Sequence, residues 1–563
     1  MSTTAAVEHH PTLVTAPATL AERIAVAAES NGTITFAGSD PAAAVEIPWS
    51  QLHDDARAMA AGLQVRGIKP GDHVALLSPT SRALVTAIQA TWLAGATVVV
   101  LPLPMRLGSF EEFVAQTRAR ERAADSALVV MDPDLAAFVE PAPGDPPVVL
   151  LSDLRGRADD LVAPAPDPNR LAVIQFTSGS TSDPKGVMLS DRNILSNLDG
   201  VMVGAHFDPD QDVVVSWLPL YHDMGFLGML TIPMITGAAL KLAGPQDFMS
   251  SPARWVEWMS HYRGTCTAGP NFSYALSARA LRRLHGLDLS AWRIALNGAE
   301  PIDPASVMAF CEAGAAHGLD PGAAFPAFGM AEVTIGGTFP EPGSGLRTDV
   351  VDRRVLEADR YAAPSIEGPG TRALALLGRP LGDLQLRICD PQSGETMTER
   401  EVGELQIRGS SVTAGYYKRP DATAASFDGE WLKTGDLAYL VDGELVVCGR
   451  IKDVIIVGGR NVFPEDIERA AAAVEGVRAG NVIAFGVTGR RGREAVVVVA
   501  EARADADADL VRKTVTSRVR ESIGIPPEEI VLVPAGSLPK TSSGKLQRSL
   551  CRARYLESTV APV

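Results

Sequence analysis

Short runs of Val, Ile and Leu recur through the chain, separated by stretches rich in Ala, Arg and Leu, as in HVALL (73–77), ATVVVL (96–101), ALVVM (127–131) and VVVSWL (213–218). A run that is apolar on both faces has to be covered on both faces. Parallel sheets with helices above and below meet that requirement, so the pattern predicts a large N-terminal region of two packed α/β subdomains. After about Leu381 the texture changes to short strands bounded by turn residues, GELQIRG (403–409) and DGELVVCGR (442–450), which predicts a small barrel-like β subdomain over about 381–450. From Ile451 onward, strands at VIIVGG, NVIAFGV, EAVVVVAEA and IVLVPA and a helix near Leu510 to Glu521 predict a separate α+β domain. The expected division is a flexible start over 1–15, a large domain over 16–450 and a small mobile domain over 451–563. The Pro/Ala-rich segment from Val139 to Pro168 reads as an exposed connection.

The 563 residues are 46% hydrophobic and 21% charged, which supports sizeable cores and argues against disorder. The longest apolar stretch, Leu93 to Met105, is broken by two prolines and falls short of the ~18–20 residues that span a bilayer, so no transmembrane helix is expected. The opening MSTTAAVEHHPTLV lacks a basic segment followed by an apolar run and reads as a cytoplasmic start rather than a secretory signal. Cys266, Cys311, Cys389, Cys448 and Cys551 are scattered without metal-ligand spacing and read as buried thiols of a reducing compartment. A net charge of −16 disfavours a protein that coats nucleic acid. From Ile451 to the end, however, 17 basic side chains face 14 acidic ones, against 34 and 53 before it. The contrast is either ordinary variation in surface charge or a docking face for an acidic partner.

The strongest chemical signal is FTSGSTSDPKG (176–186), directly after the apolar strand LAVIQ. Glycine lets backbone N–H groups turn toward an anion, hydroxyls donate further hydrogen bonds and a lysine neutralises outer phosphates, so the string reads as a phosphate-gripping loop. An ordinary solvated loop is the alternative for any Ser/Thr/Gly cluster. The string is not GxxxxGK[ST], so γ-phosphoryl transfer by the P-loop mechanism does not follow.

That loop, followed in order by FGMAE (328–332), KTGD (433–436), GRIKD (449–453) and LPKTSSGKLQR (538–548), resembles the adenylate-forming enzymes, the superfamily of acyl-CoA synthetases, luciferases and nonribosomal adenylation domains. The likeness runs from about residue 20 to 555. SWLPLYHDMG (216–225), AGPNFSY (268–274), NGAEP (297–301) and GRNVFPEDIE (459–468) are most similar to the fatty acyl-AMP ligases. The segment from Thr338 to about Pro364 resembles the insertion that distinguishes those ligases from fatty acyl-CoA synthetases, a length-variable surface loop being the alternative.

The resemblance implies ATP-dependent conversion of a carboxylic acid, a fatty acid above all, to acyl-AMP with release of pyrophosphate. It places Thr177 and Glu332 at Mg2+, hard oxygen donors for a hard cation, with Ser178, Gly179, Ser180, Thr181 and Lys185 around the outgoing pyrophosphate. Asn297, Gly298, Ala299, Glu300 and Pro301, with Phe328, Gly329, Met330 and Ala331, would flank the adenine, where an aromatic face can stack. Asp436 and Arg450 would hold the ribose hydroxyls. Lys545 is the main catalytic candidate, because an ammonium on a mobile loop can bridge carboxylate and α-phosphate; Glu332, Thr177 and His222 join it. His222, Phe226, Gly269, Pro270 and Asn271 would line the acyl pocket, although apolar residues of this kind are ordinarily core. Phe328 stands where relatives commonly carry tyrosine, and loss of that hydroxyl predicts weakened rather than abolished nucleotide binding; Ala331 stands where a phosphate-binding threonine is common, a variant that also resembles the ligases. Asp191 stands where histidine is frequent, without a mechanistic account.

Thiol transfer needs a second geometry, so the resemblance implies that the small domain pivots at Lys452, withdrawing Lys545 and opening a thiol channel at Gly458 and Gly459. The thiol is expected from another molecule, with holo-acyl carrier protein the first choice. An acyl-CoA synthetase using CoA is the alternative, favoured by PKG (184–186) and the Gly458–Gly459 pair, and a scaffold of the same fold without turnover is a third reading.

Overall fold

Seven strands make the larger body sheet, in the order Ala324–Pro326, Ile294–Asn297, Cys266–Gly269, Val213–Ser216, Ala239–Leu242, Thr33–Phe36 and Val45–Pro48. Every pairing is parallel except the last. The second sheet runs Val148–Leu150, Ser126–Met131, His73–Leu77, Thr97–Val100, Leu171–Phe176 and Gly186–Ser190, parallel until its final antiparallel pair. These features belong to a computed structural model that describes residues 18–38, 40, 43–103, 110–139, 142–177, 184–457, 459–489, 494–541, 544–558 and 560. His73–Leu77 and Thr97–Val100 are buried at every position, as strands covered on both faces must be. The helix Arg82–Leu93, started by the Ser81 hydroxyl accepting from Leu84 N–H, is buried from Leu84 onward and is therefore apolar all round rather than striped.

The expectation of an exposed connection between Val139 and Pro168 is corrected in part. Val148–Leu150 adds an edge strand to the second sheet, and Leu151 and Leu154 anchor the following turns at 5% and 0% exposure. A proline-flanked apolar triplet is tolerated at an edge, where one side of the strand needs no partner.

Beyond the parallel sheets lies an antiparallel sheet of Gln385–Cys389, Gly403–Arg408, Phe427–Asp428, Trp431–Val441 and Glu444–Arg450. The tail sheet pairs Val477–Thr488 with Glu494–Ala502 and the latter, in parallel, with Glu529–Val533; the helices Pro464–Ala472 and Ala508–Ile523 cover its core of Val482, Val498, Val515 and Leu532. The architecture is thus α/β with parallel sheets, an antiparallel β unit and an α+β tail. Among the described residues no helix is long and apolar enough to cross a membrane.

Asp191, unexplained in the sequence, begins the helix Asp191–Gly204, and its Oδ1 accepts the Leu20 N–H at 2.7 Å, tying the first helix, Leu20–Ala27, to the body. Burial pushes its carboxyl up to about 6. Because the folded value lies above the ordinary one near 4, Asp191 favours the fold at low pH and loses that contribution, up to about 3 kcal/mol, as pH rises through 6. Asp191→Asn keeps an oxygen for Leu20 and cannot ionise. Its melting temperature relative to the parent's should rise by about 1–3 °C between pH 4 and pH 8, with roughly half of that rise already present at pH 5; an offset equal at pH 4 and pH 8 would rule Asp191 out as the source.

Candidate active site

The strand Leu171–Phe176 delivers Thr177 to the end of the second sheet, where its N–H donates to Lys185 O at 3.2 Å and the chain returns as Gly186–Ser190. Ser178, Gly179, Ser180 and Thr181 lie outside the described residues. The Gln175 side chain donates to Tyr221 O at 2.9 Å, which joins this strand to the segment carrying His222. His222 Nδ1 and Asp223 Oδ1 are 2.6 Å apart, and the same carboxylate oxygen accepts Met224 N–H at 2.7 Å, heading a π-helical turn over Met224–Thr231. Such turns recur at functional sites because they re-aim side chains without breaking the helix. Burial opposes ionisation of Asp223, but His222 and Lys545 together outweigh it and hold the carboxyl below the usual range.

Glu332 sits in the short turn Ala331–Val333, 9% exposed, with burial raising its carboxyl above the usual range. Tyr416 Oη donates to its Oε1 at 2.8 Å, and the backbone of Thr413 donates to its carbonyl at 2.8 Å. The strand Phe328–Gly329 precedes it and pairs with Gly336–Phe339; a side chain at Gly329 would run into Ile335 O, so only glycine fits there. Met330 leads into the turn in extended backbone and Ala331 is 7% exposed. Ala299 and Thr334 both adopt positive φ, 72° and 81°, a strained geometry that clusters where surroundings hold function in place.

Asn297 ends its strand with its amide donating to Asn271 Oδ1 at 3.2 Å, and the same oxygen accepts Asp303 N–H. Beyond Gly298 and Ala299, and just before Pro301, Glu300 Oε1 accepts the Phe272 N–H at 3.1 Å, and burial raises its carboxyl. Pro270 heads the helix Asn271–Leu281, and Gly269 lies tight against Ser273 and Trp255. Asp436 and Arg450 are register partners on adjacent strands, with Nε and Oδ1 2.8 Å apart.

Lys545 comes from the tail. Its N–H donates to Thr541 Oγ1 at 3.1 Å and its carbonyl accepts Thr541 N–H at 2.8 Å, a tight loop in which Gly544 lies against Phe272. Burial lowers the Lys545 pKa, while Asp223 and Glu300 act electrostatically to raise it. The Lys545 loop thus meets the body beside Phe272, whose N–H Glu300 of the NGAEP segment accepts. Lys452 lies exposed in the turn Ile451–Asp453, and Arg548 joins that turn to the Lys545 loop through a 2.6 Å contact with Asp453. Gly459 has open space where a side chain would stand, and Gly458 lies outside the described residues.

Phe226 is 1% exposed and stacked on Trp92, 5.7 Å between centroids at 3°, in the body core. Sequence reasoning passed over Asp223, although it stands inside the quoted HDMG string, and Tyr416, whose position beside Glu332 depends on a contact 84 residues away in sequence.

The segment similar to a ligase insertion forms a strand, Thr348–Asp352, paired with Thr371–Ala375, and a helix, Arg353–Asp359, packed on the tail. Fully buried Glu357 accepts the Arg460 guanidinium, 2.9 Å from Nε, and its carbonyl accepts the Asn461 amide at 3.1 Å; Arg353 donates to Ser522 O. Nearby, Arg372 and Asp466 form an ion pair 3.0 Å apart with both side chains 3% exposed, and the Phe463 ring lies 4.4 Å from the guanidinium carbon.

The model of a family described as AMP-binding enzyme matches residues 22–417. The chain belongs to that family. It is 41% identical over 519 residues to Rv1013 of Mycobacterium tuberculosis, named only as a ligase, covering 91% of this chain and 95% of that one. It is 34% identical to the long-chain-fatty-acid–AMP ligase FadD26 of the same species, covering 92% and 93%. A solved structure from work on fatty acyl-adenylate ligases of E. coli and L. pneumophila superposes with a TM-score of 0.89 at 32% identity, covering 96% of this chain and 98% of the other. The AMP-binding family match covers the phosphate loop, Glu332 and Asp223 but stops before Lys545; the whole-chain relatives take in the tail as well.

Proposed function

We propose that this chain uses ATP to convert a carboxylic acid, a fatty acid above all, to acyl-AMP and pyrophosphate, then passes the acyl group to the phosphopantetheine thiol of a holo-acyl carrier protein. The observation that carries the reading is the Lys545 loop of the tail seated beside Phe272, whose N–H Glu300 accepts, against a body in which Tyr416 links Glu332 to Lys185 at the end of the phosphate loop. The full-length likeness to fatty acyl-adenylate ligases supports it.

In the first step a carboxylate oxygen attacks the α-phosphorus and the bond to the bridging oxygen of pyrophosphate breaks in line, its electron pair leaving with pyrophosphate. Lys545 bridges the two anions as charge moves between them, and Lys185 meets the charge growing on the leaving group. His222, held by Asp223, faces the carboxylate end. Thr177 and Glu332 suit Mg2+: both offer hard oxygen, and a carboxylate whose ionised form burial disfavours gains from a cation. When bound, the ion neutralises polyphosphate charge. Phe328 flanks the adenine, and Asp436 turns from Arg450 toward the ribose.

In the second step a thiolate attacks the acyl carbon and AMP departs. Residues 451–563 pivot at Lys452 as one body, withdrawing Lys545 and bringing Gly459 to the thiol path. The buried contacts of Glu357 and Arg353 with the tail favour a carrier over CoA, because they restrict the poses open to that body. The test offers ATP, Mg2+ and a panel of fatty and aryl acids with either CoA or holo-carrier, and identifies products by mass. Acyl-carrier product with little acyl-CoA is expected. Efficient acyl-CoA formation would make the chain a CoA synthetase, and nucleotide binding without acyl-AMP would make it a scaffold.

A further inference from the structure

We infer that Tyr416 is a positioning residue of the first step, one that sets the phosphate-loop lysine and the Glu332 carboxylate at a fixed separation before MgATP arrives. The inference rests on the adenylation reading above. One phenol contacts both charged groups by different parts of its ring: Oη donates to Glu332 Oε1 at 2.8 Å, and Lys185 Nζ stands over the ring face, 5.1 Å from its centroid. The ring face carries negative electrostatic potential and attracts the ammonium, whereas the hydroxyl edge donates to the carboxylate. Two opposite charges that would otherwise collapse together are each given a partner that leaves them ionised and apart.

The backbone carrying Tyr416 is fixed from three directions. It runs antiparallel to the strand after the phosphate loop, with Val187 opposite Tyr416, Met188 N–H donating to Gly415 O at 3.0 Å and Tyr417 N–H to Gly186 O at 2.8 Å. Thr413, three residues earlier, donates to the Glu332 carbonyl, and Tyr416 N–H donates to Thr423 Oγ1 at 3.0 Å. Gly415 makes the approach possible at φ 130°, where a side chain would run into Thr423. Tyr416 itself is 8% exposed, so the hydroxyl has no water to fall back on. A side chain held this firmly between two charged groups adjusts their spacing rather than following it.

Tyr416→Phe keeps the ring under Lys185 and removes the hydroxyl's bonds to Glu332 and Ser426; Tyr416→Leu removes the ring face as well. In ATP–pyrophosphate exchange, Tyr416→Phe should raise the KM for MgATP about 5- to 50-fold while leaving the KM for the acid and the melting temperature near the parent's. Tyr416→Leu should lower kcat as well. Calorimetric titration of MgATP into each variant on a Lys545→Ala background, where turnover does not intervene, should show the same weakening. Tyr417→Phe, whose hydroxyl contacts Asp125 instead, should match the parent throughout. Unchanged MgATP affinity in Tyr416→Phe, or an equal rise in the KM for both substrates, would overturn the assignment. A parent that binds MgATP but performs no exchange would sink the adenylation reading while the titration still reads Tyr416.

Discussion

Lys545→Ala should lower ATP–pyrophosphate exchange by about 10²–10³-fold, the loss expected when one preorganised donor to a developing anion is removed. The same variant should transfer the acyl group from supplied acyl-AMP to a thiol within a few-fold of the parent's rate, because the proposed mechanism uses Lys545 for the attack on phosphorus and not for the attack on the acyl carbon. The asymmetry follows from where the residue sits. Its loop is built within the tail by Thr541, and its charge meets Asp223 and Glu300 only while the tail lies against the body. Loss of the side chain leaves the Thr541–Lys545 backbone bonds and the Gly544–Phe272 contact intact, so the fold should not suffer. Full exchange by the variant would mean that another cation performs the step, and equal loss of both half-reactions would mean that Lys545 holds the structure rather than the transition state.

The architecture was legible where physics is local. HVALL and ATVVVL had to be buried strands because they are apolar at consecutive positions, and both lie in the middle of the second sheet. Val148–Leu150 was not legible, since a three-residue apolar run among prolines carries no periodicity of its own and is a strand only because Ser126–Met131 offers it an edge. The site divides the same way. Motif strings located Glu332 and Lys545, but the hydrogen bond from Tyr416, the pairing of Asp436 with Arg450 and the grip of Glu357 on Arg460 join residues far apart in sequence, and only strand register and packing bring them together. Phe226 shows the converse. Its place just after the HDMG string said nothing of where its ring would go; within the π-helical turn that starts at Met224 it stacks on Trp92.

Asp466→Asn should separate the two half-reactions in the same sense as Lys545→Ala but through the position of the tail. Arg372 belongs to the body strand Thr371–Ala375 and Asp466 to the tail helix Pro464–Ala472, so their contact exists only in the pose observed. Ion pairs buried this deeply add little net stability, because each charge gives up its water, but removing one partner strands the other at a cost of about 3–5 kcal/mol. That cost falls on the docked pose alone, since undocking returns Arg372 to solvent. Exchange should therefore fall by about 10²-fold or more in Asp466→Asn while transfer from supplied acyl-AMP persists. Replacing both partners by apolar residues, Arg372→Met with Asp466→Leu, removes the stranded charge and keeps contact with Phe463, so it should restore much of the exchange. A double variant no better than the single one would show that the pair itself, rather than the uncompensated charge, holds the tail in place. Parallel loss of both half-reactions in Asp466→Asn would show instead that Asp466 supports the tail fold, and the buried pair would have no part in selecting its pose.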